Sequence, residues 1–498
     1  MTVVIAWLLF PFAGAFVAAL LPSTARWLAL ISALSTAAIG VLLFRVSCPW
    51  PLLLTGPLGV LLQFDSRAAP FLLLNGLVVL AVLVDTWRRS LPGPFLLLLM
   101  VLVGGLNSSF LAQDLVTLYV ALEVVGVAAF LLILRGREPQ QLWIALRYLV
   151  VGNSVMTLYL VGVALLYLRT GSFRIGALAN PALGGEGLAL VVALLLIGLL
   201  TKSGLFLSGL WLPRTHAEAP ADVSALLSGV VVAGGLCPLL RVADLVPPLR
   251  PVLLMIGLGS ALLGVIYALA DGDLKRLLAW STLSQVGLVV MSPATGGAYA
   301  LAHGLAKACL FLLAGRMPSR NLAQGTSQPL SLGVAVPLWL ASLSIAGAPF
   351  LLGYGPKLWL GQEVDRFGDG MVSAALLMTM VGTAAVYTRL CWRPIELQIG
   401  GLSPGSLLLA LLLLLGGLLL GPFPTVTGST KALAILFYGL AFHASRRFLA
   451  LGLTSQAWFP TLPGLPNLER MQDLLGCMAL VGASLALVLL PREVPWPG

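Results

Sequence analysis

Residues 198–213 read GLLTKSGLFLSGLWLP, and residues 345–360 read IAGAPFLLGYGPKLWL. Each is an apolar run interrupted by Gly and Pro, and each carries one lysine, Lys202 or Lys357. Placing a lysine at the centre of a membrane helix costs about 3 kcal/mol on insertion scales, so such a residue is a functional hypothesis by default. A broken helix holding a charge, occurring twice in one chain, points to an inverted-repeat transporter with its site near the bilayer midplane. The flanking pattern agrees. One block of five apolar segments covers 94–240 and a second covers 250–391, with the broken helix fourth in each, at about 187–212 and 331–361. Five helices per block is odd, so the second copy is expected to be inverted in the membrane.

The rest of the chain fits a membrane protein. Hydrophobic residues make up 59% of the 498 and charged residues 9%, against about 25% charged in a soluble domain. Sixteen apolar segments are expected at about 3–22, 26–44, 69–86, 94–112, 115–134, 141–168, 187–212, 221–240, 250–270, 276–292, 296–315, 331–361, 371–391, 404–421, 431–449 and 472–490. Roughly 20 residues span the hydrocarbon core, so no room remains for a large soluble domain. The fold class is all-α and polytopic, with about 14 core spans and two C-terminal ones. Helices of 1–93 precede the first repeat and helices of 392–498 follow the second. The apolar runs are continuous rather than alternating, which excludes a β-barrel. Residues 1–22 lack a basic start and lead straight into further spans, so they read as a first span rather than a signal peptide. The longest loops are at about 45–68, 169–186 and 450–471.

The net charge is +10. The cations cluster at span ends, where they set topology and meet anionic headgroups, so nucleic acid is not expected. Loops after odd-numbered spans hold 15 of the 28 Lys and Arg, against nine after even-numbered ones. The positive-inside rule then puts the odd loops in the cytoplasm and both termini outside. Cys48, Cys237, Cys309, Cys391 and Cys477 are scattered without metal-ligand spacing and read as small buried side chains. Gly257 and Gly259 lie inside an apolar span and read as helix packing, not a dinucleotide loop. No cofactor and no catalytic redox chemistry are expected in this chain.

The remaining ionisable residues inside spans are Glu123, Arg147, His303 and Lys307. His303 and Lys307 are four apart and share a helix face. Burial disfavours the charged form of a lysine or a glutamate, and an opposite charge nearby restores it. A Glu123–Lys202 pair therefore suits a proton relay. One intramembrane carboxylate cannot pair three lysines, which argues against purely structural salt bridges. Arg147 reads either as a snorkelling residue or as an accessory of the relay. His216, in the loop LPRTHAEAP (212–220), is expected near the surface, as a structural residue or a gate for water. His443 reads as interfacial.

Five stretches in order carry a resemblance. FLAQDLVTLYVALEVV (110–125), LLTKSGLFLSGLWLPRTHAEAPADVSALLSG (199–229), DLKRLLAWSTLSQVGLV (273–289), HGLAKACLFLLAG (303–315) and LSIAGAPFLLGYGPKLWL (343–360) resemble the antiporter-like subunits shared by respiratory complex I and the Mrp-type cation/proton antiporters. The likeness covers about residues 60–420, with APADVSALLSG and FLAQDLVTLYVALE closest to the Mrp D-type chain. It implies that Glu123, Lys202, His303, Lys307 and Lys357 form an ion pathway. It implies packing beside similar membrane subunits and small membrane subunits, with H⁺, and Na⁺ or K⁺, as cargo. A bacterial cell membrane is the default expectation, with a thylakoid or organelle membrane as the alternatives. One departure stands out: the family's lysine in the eighth helix is replaced by Ala233. Three classes stay open at this point: an Mrp-like exchanger, a membrane component of an NAD(P)H-quinone oxidoreductase, and a structural component that has lost conduction.

Overall fold

The structure is a computed structural model that describes residues 2–45, 49–54, 59–89, 91, 93–136, 138–325, 328–366, 368–398, 400–452 and 470–489. Cys48 and most of the expected 450–471 loop lie outside the described residues.

The first helices are α1 (Thr2–Leu20), α2 (Ala25–Leu43), α3 (Ala69–Thr86), α4 (Gly93–Leu111), α5 (Leu115–Ile133) and α6 (Pro139–Thr170). The first interrupted span is α7 (Gly184–Ser203) followed by α8 (Leu212–Glu218). Next, α9 (Ala221–Leu226) and α10 (Val232–Leu245) form one span joined by a π-helical turn, Leu227–Val231. Then come α11 (Leu249–Ala270), α12 (Leu274–Met291), α13 (Pro293–Ala314) and the short α14 (Leu322–Gly325). The second interrupted span is α15 (Leu332–Ala346) and α16 (Tyr354–Arg366). It is followed by α17 (Gly370–Cys391), α18 (Pro404–Leu420), α19 (Val426–Gly452) and α20 (Met471–Leu489).

All sixteen expected segments are helices or broken-helix pairs. Eleven are long and apolar enough to cross a membrane, and three more are shorter apolar helices. The remaining two are α12 and α19. Helix α12 escapes a simple hydropathy reading because it is buried on nearly every side and carries Ser281, Thr282, Ser284 and Gln285. A helix shielded from lipid by its neighbours tolerates polar residues that hydrogen-bond across helices. Both blocks run helix, helix, helix, broken helix, helix.

The 45–68 loop holds more than a connection. Strand β1 (Trp50–Leu53) pairs antiparallel with β2 (Leu61–Phe64). Strand β3 (Leu330–Ser331) pairs parallel with β4 (Ile395–Glu396). Gly257 packs α11 onto α12: a side chain there would come within 2.6 Å of the Gly287 carbonyl. Gly257 thus serves close helix approach, as the sequence suggested, whereas Gly259 makes room for the Phe206 ring. Cys237 and Cys309 are buried, and Cys391 and Cys477 are half-buried.

The two breaks obey one local rule. Gly204 ends α7 and Gly347 ends α15, both left-handed with φ of 71° and 90°. Each glycine N–H donates to the carbonyls three and four residues back. The next N–H reaches five back, Leu205 to Leu200 at 3.0 Å and Ala348 to Leu343 at 2.9 Å. This is the Schellman pattern that stops a helix. A phenylalanine with positive φ follows in each break, Phe206 (46°) and Phe350 (67°). Bulky residues rarely adopt that conformation, so surrounding structure must hold it. The lysines are not equivalent, however. Lys202 precedes its cap glycine by two residues, whereas Lys357 follows its own by ten.

Carboxylates at the span ends are consumed by arginines. Arg241 grips Asp65 with two bonds of 2.6 and 2.8 Å, both side chains buried. Arg135 holds Asp222 at 2.7 Å. Asp85 accepts from Ser403 at 2.5 Å and from Arg89 at 3.0 Å. The lysines of the interior receive none of these acids.

Candidate functional site

Helix α5 begins where Asp114 accepts from the Thr117 N–H, a local cap that fixes its first turn. Two turns later Glu123 faces the end of α7. Its Oε1 lies 3.0 Å from Lys202 Nζ, with both side chains largely buried. The pairing expected from the sequence is therefore present. The Lys202 ammonium also approaches the Leu122 carbonyl at 3.5 Å. Glycines make the room: a Cβ on Gly126 would sit 3.1 Å from Nζ, and one on Gly152 3.6 Å away. A small cavity of about 20 Å³ adjoins the amine, lined by Tyr148, Asn153, Thr201 and Trp211 among others.

His216 is not near the surface. Of the stretch LPRTHAEAP, LPRTHAE is helical as α8, and His216 is fully buried. The break folds α8 back into the protein, which a loop reading of these residues misses. Its ring lies 6.0 Å from that of Trp211 and 5.8 Å from that of Phe311. Trp211 in turn meets Tyr148 at 5.0 Å and donates from Nε1 to the Thr201 carbonyl at 2.9 Å. A band of four rings thus separates Lys202 from Lys307, the latter one helical turn from Phe311. Ala233 is buried on α10 and contributes no charge in this region. Arg147 is buried within the fold rather than snorkelling to its rim. His443 lies beside Trp392, with ring centroids 5.8 Å apart and the planes tilted by 58°.

In the second half, Lys307 is fully buried on α13. Its Nζ donates to the Leu278 carbonyl at 2.7 Å and lies 5.5 Å from the centre of the Tyr387 ring. His303 is buried one turn away, and neither of its ring nitrogens has a hydrogen-bond partner. Lys357 is buried on α16 with Nζ unpartnered. It lines a cavity of about 90 Å³ together with Tyr354, Gln362, Asp365, Ser373 and Lys431. At this cavity Lys431 of α19 lies 3.6 Å from Asp365. Among the described residues, neither Lys307 nor Lys357 has an ion-pair partner. No group of three or more His, Cys, Asp or Glu among them could hold a metal ion.

The family described as NADH:quinone oxidoreductase/Mrp antiporter, TM, matches residues 112–381, which carry Glu123, Lys202, His303, Lys307 and Lys357. The chain belongs to this family. The N-type component of the NADH-quinone oxidoreductase of Desulforudis audaxviator is 32% identical over 378 residues, covering 68% of this chain and 74% of that one. The D-type component of the Na(+)/H(+) antiporter of Alkalihalophilus pseudofirmus is 32% identical over 283 residues, covering 52% and 57%. The fold is shared with a chain of the Mrp complex from Dietzia sp. DQ12-45-1b, with a TM-score of 0.73 and 20% identity over 99% of this chain and 100% of that one. The chain is thus an integral, multi-pass, antiporter-like membrane protein, and its relatives are subunits of multi-subunit complexes.

Proposed function

We propose that this chain moves protons through a bacterial cell membrane as one subunit of a larger complex, by way of Glu123, Lys202, His303, Lys307 and Lys357. The observation that carries this reading is the largely buried Glu123–Lys202 pair, 3.0 Å apart beside a helix break and a cavity. A charged lysine there is stabilised by the carboxylate, and moving the two apart removes that support. Such a pair is a switch whose state a proton can set. His216 lies between the halves and is an accessory of the relay, with Arg147 near its start. The blocks 94–240 and 250–391 are the two inverted repeats, each supplying one half of the pathway.

The leading assembly is an Mrp-type cation/proton antiporter, in which H⁺ exchanges for Na⁺ or K⁺ beside homologous and small membrane subunits. A second assembly, the membrane arm of a quinone oxidoreductase, is supported by the 32% identity to the N-type component of such an enzyme. This reading assigns no redox group to this chain in either case, and driving energy comes from partners or an ion gradient. Lys202→Ala or Lys357→Ala is expected to abolish transport in native-membrane vesicles while the complex still assembles. Normal transport by correctly assembled variants would remove the reading. A mild-detergent pull-down from native membrane separates the assemblies. Iron–sulfur subunits among the partners would mean the redox-driven form, and only antiporter-like and small membrane chains would mean the exchanger.

A further inference from the structure

The relay described above has no assigned route from Lys307 to water, and Lys357 faces a cavity of its own. Helix α13 offers a route. Thr295, Tyr299, His303 and Lys307 follow one another at intervals of four residues. At about 1.5 Å per residue, successive members are offset by about 6 Å along the helix, and the line turns slowly around it. The levels of Lys307, Tyr299 and Thr295 have polar groups beside them. Beside Lys307, the Tyr387 and Ser281 hydroxyls are 2.6 Å apart. Two turns along, the Tyr299 hydroxyl donates to Gln285 Oε1 at 3.0 Å, and Gln285 Nε2 donates to Thr383 at 3.2 Å. At the end, Thr295 Oγ1 donates to Ser292 Oγ at 2.6 Å, and Ser292 donates to the Glu363 carboxylate. Glu363 is partly exposed. His303 stands between the first two levels with both nitrogens unpartnered.

The geometry points to a proton outlet along this face of α13, running from Lys307 through His303 and Tyr299 to Glu363. It deepens the relay reading and rests on it. The Lys307 ammonium gives a proton to one imidazole nitrogen and becomes a neutral amine. The imidazolium releases a proton from its other nitrogen to the Tyr299 oxygen, directly or across one water. That hydroxyl passes its own proton on, and Thr295 and Ser292 repeat the exchange. The Glu363 carboxylate accepts the proton and then loses it to bulk water. Gln285 cannot serve as a link, because its amide accepts only at oxygen and donates only from nitrogen. Its bond to Tyr299 instead holds that hydroxyl off the line until it rotates. The charge count of the loops places the Glu363 end outside the cytoplasm.

The test uses the whole complex in native-membrane vesicles, with assembly checked by native gel. Glu363→Gln and Tyr299→Phe are each expected to slow proton translocation at least fivefold. Glu363→Asp should restore most of the rate, and added formate should rescue Glu363→Gln by carrying protons at the outer end. A merely structural role for Glu363 would give no formate rescue. Full rates in assembled Glu363→Gln and Tyr299→Phe, with Lys202→Ala inactive, would overturn the outlet and leave the relay standing. Full rates in Lys202→Ala as well would overturn the relay itself.

Discussion

Glu123 and Lys202 come together from positions 79 residues apart because the break after Ser203 ends α7 at the depth of the middle of α5. Removing one member of a buried ion pair costs about 3–5 kcal/mol when the other stays charged. Glu123→Gln is therefore expected to slow transport several-fold and to change its pH profile. Translocation assays across a pH series check this, and an unchanged profile would count against the pairing role. Gly204 is constrained in two ways: its φ is 71°, and a Cβ there would lie 2.6 Å from Leu212 Cδ1. A left-handed L-residue costs about 1–2 kcal/mol. Gly204→Ala should lower the midpoint of thermal inactivation and reduce transport, because the end of α7 carries Lys202. A thermal melt in detergent together with a transport assay reads both effects.

At the scale of elements, much of the architecture is legible in the sequence. Continuous apolar runs mark all sixteen segments, and Gly and Pro beside lysine mark both breaks. The pairing of Glu123 with Lys202 follows from scarcity, since one interior acid has few cations to choose from. Other features are hidden because they depend on packing. The segment after the first break carries polar residues and reads as a loop, yet folding α8 inward buries His216 completely. Nothing local in the sequence says that Trp211, His216 and Phe311 will stack between the two lysines. The hairpin at 50–64 also escapes a sequence reading, since both strands are only four residues long. The α13 line is partly visible: spacing puts His303 and Lys307 on one face, but its continuation through Tyr299 to Thr295 acquires meaning only beside α12, α16 and α17. His216→Leu keeps the bulk of the ring and removes its nitrogens. If His216 carries or orders a proton path between the halves, this variant loses transport at normal assembly. If the ring only fills space between Trp211 and Phe311, the rate is kept.

For the whole molecule, charge is divided between two jobs. Arginines neutralise the acids at the span ends, as in Arg241–Asp65 and Arg135–Asp222, and so fix loops against helices. Lys202, Lys307 and Lys357 lie inside the spans, and of these three only Lys202 has an acid in ion-pair reach among the described residues. Arg241→Leu should therefore act on folding rather than on transport: an unpaired buried Asp65 costs several kcal/mol, read as a loss of assembled complex on a native gel. Lysine substitutions should do the reverse. Lys307 is where these lines meet, being fully buried, lacking an acid partner, and standing at the head of the α13 line. The most direct measurement is proton translocation by native-membrane vesicles whose complex carries Lys307→Ala, with assembly quantified in the same membranes. The expected result is a normal amount of assembled complex with translocation abolished; wild-type translocation at normal assembly would contradict a proton pathway through this chain.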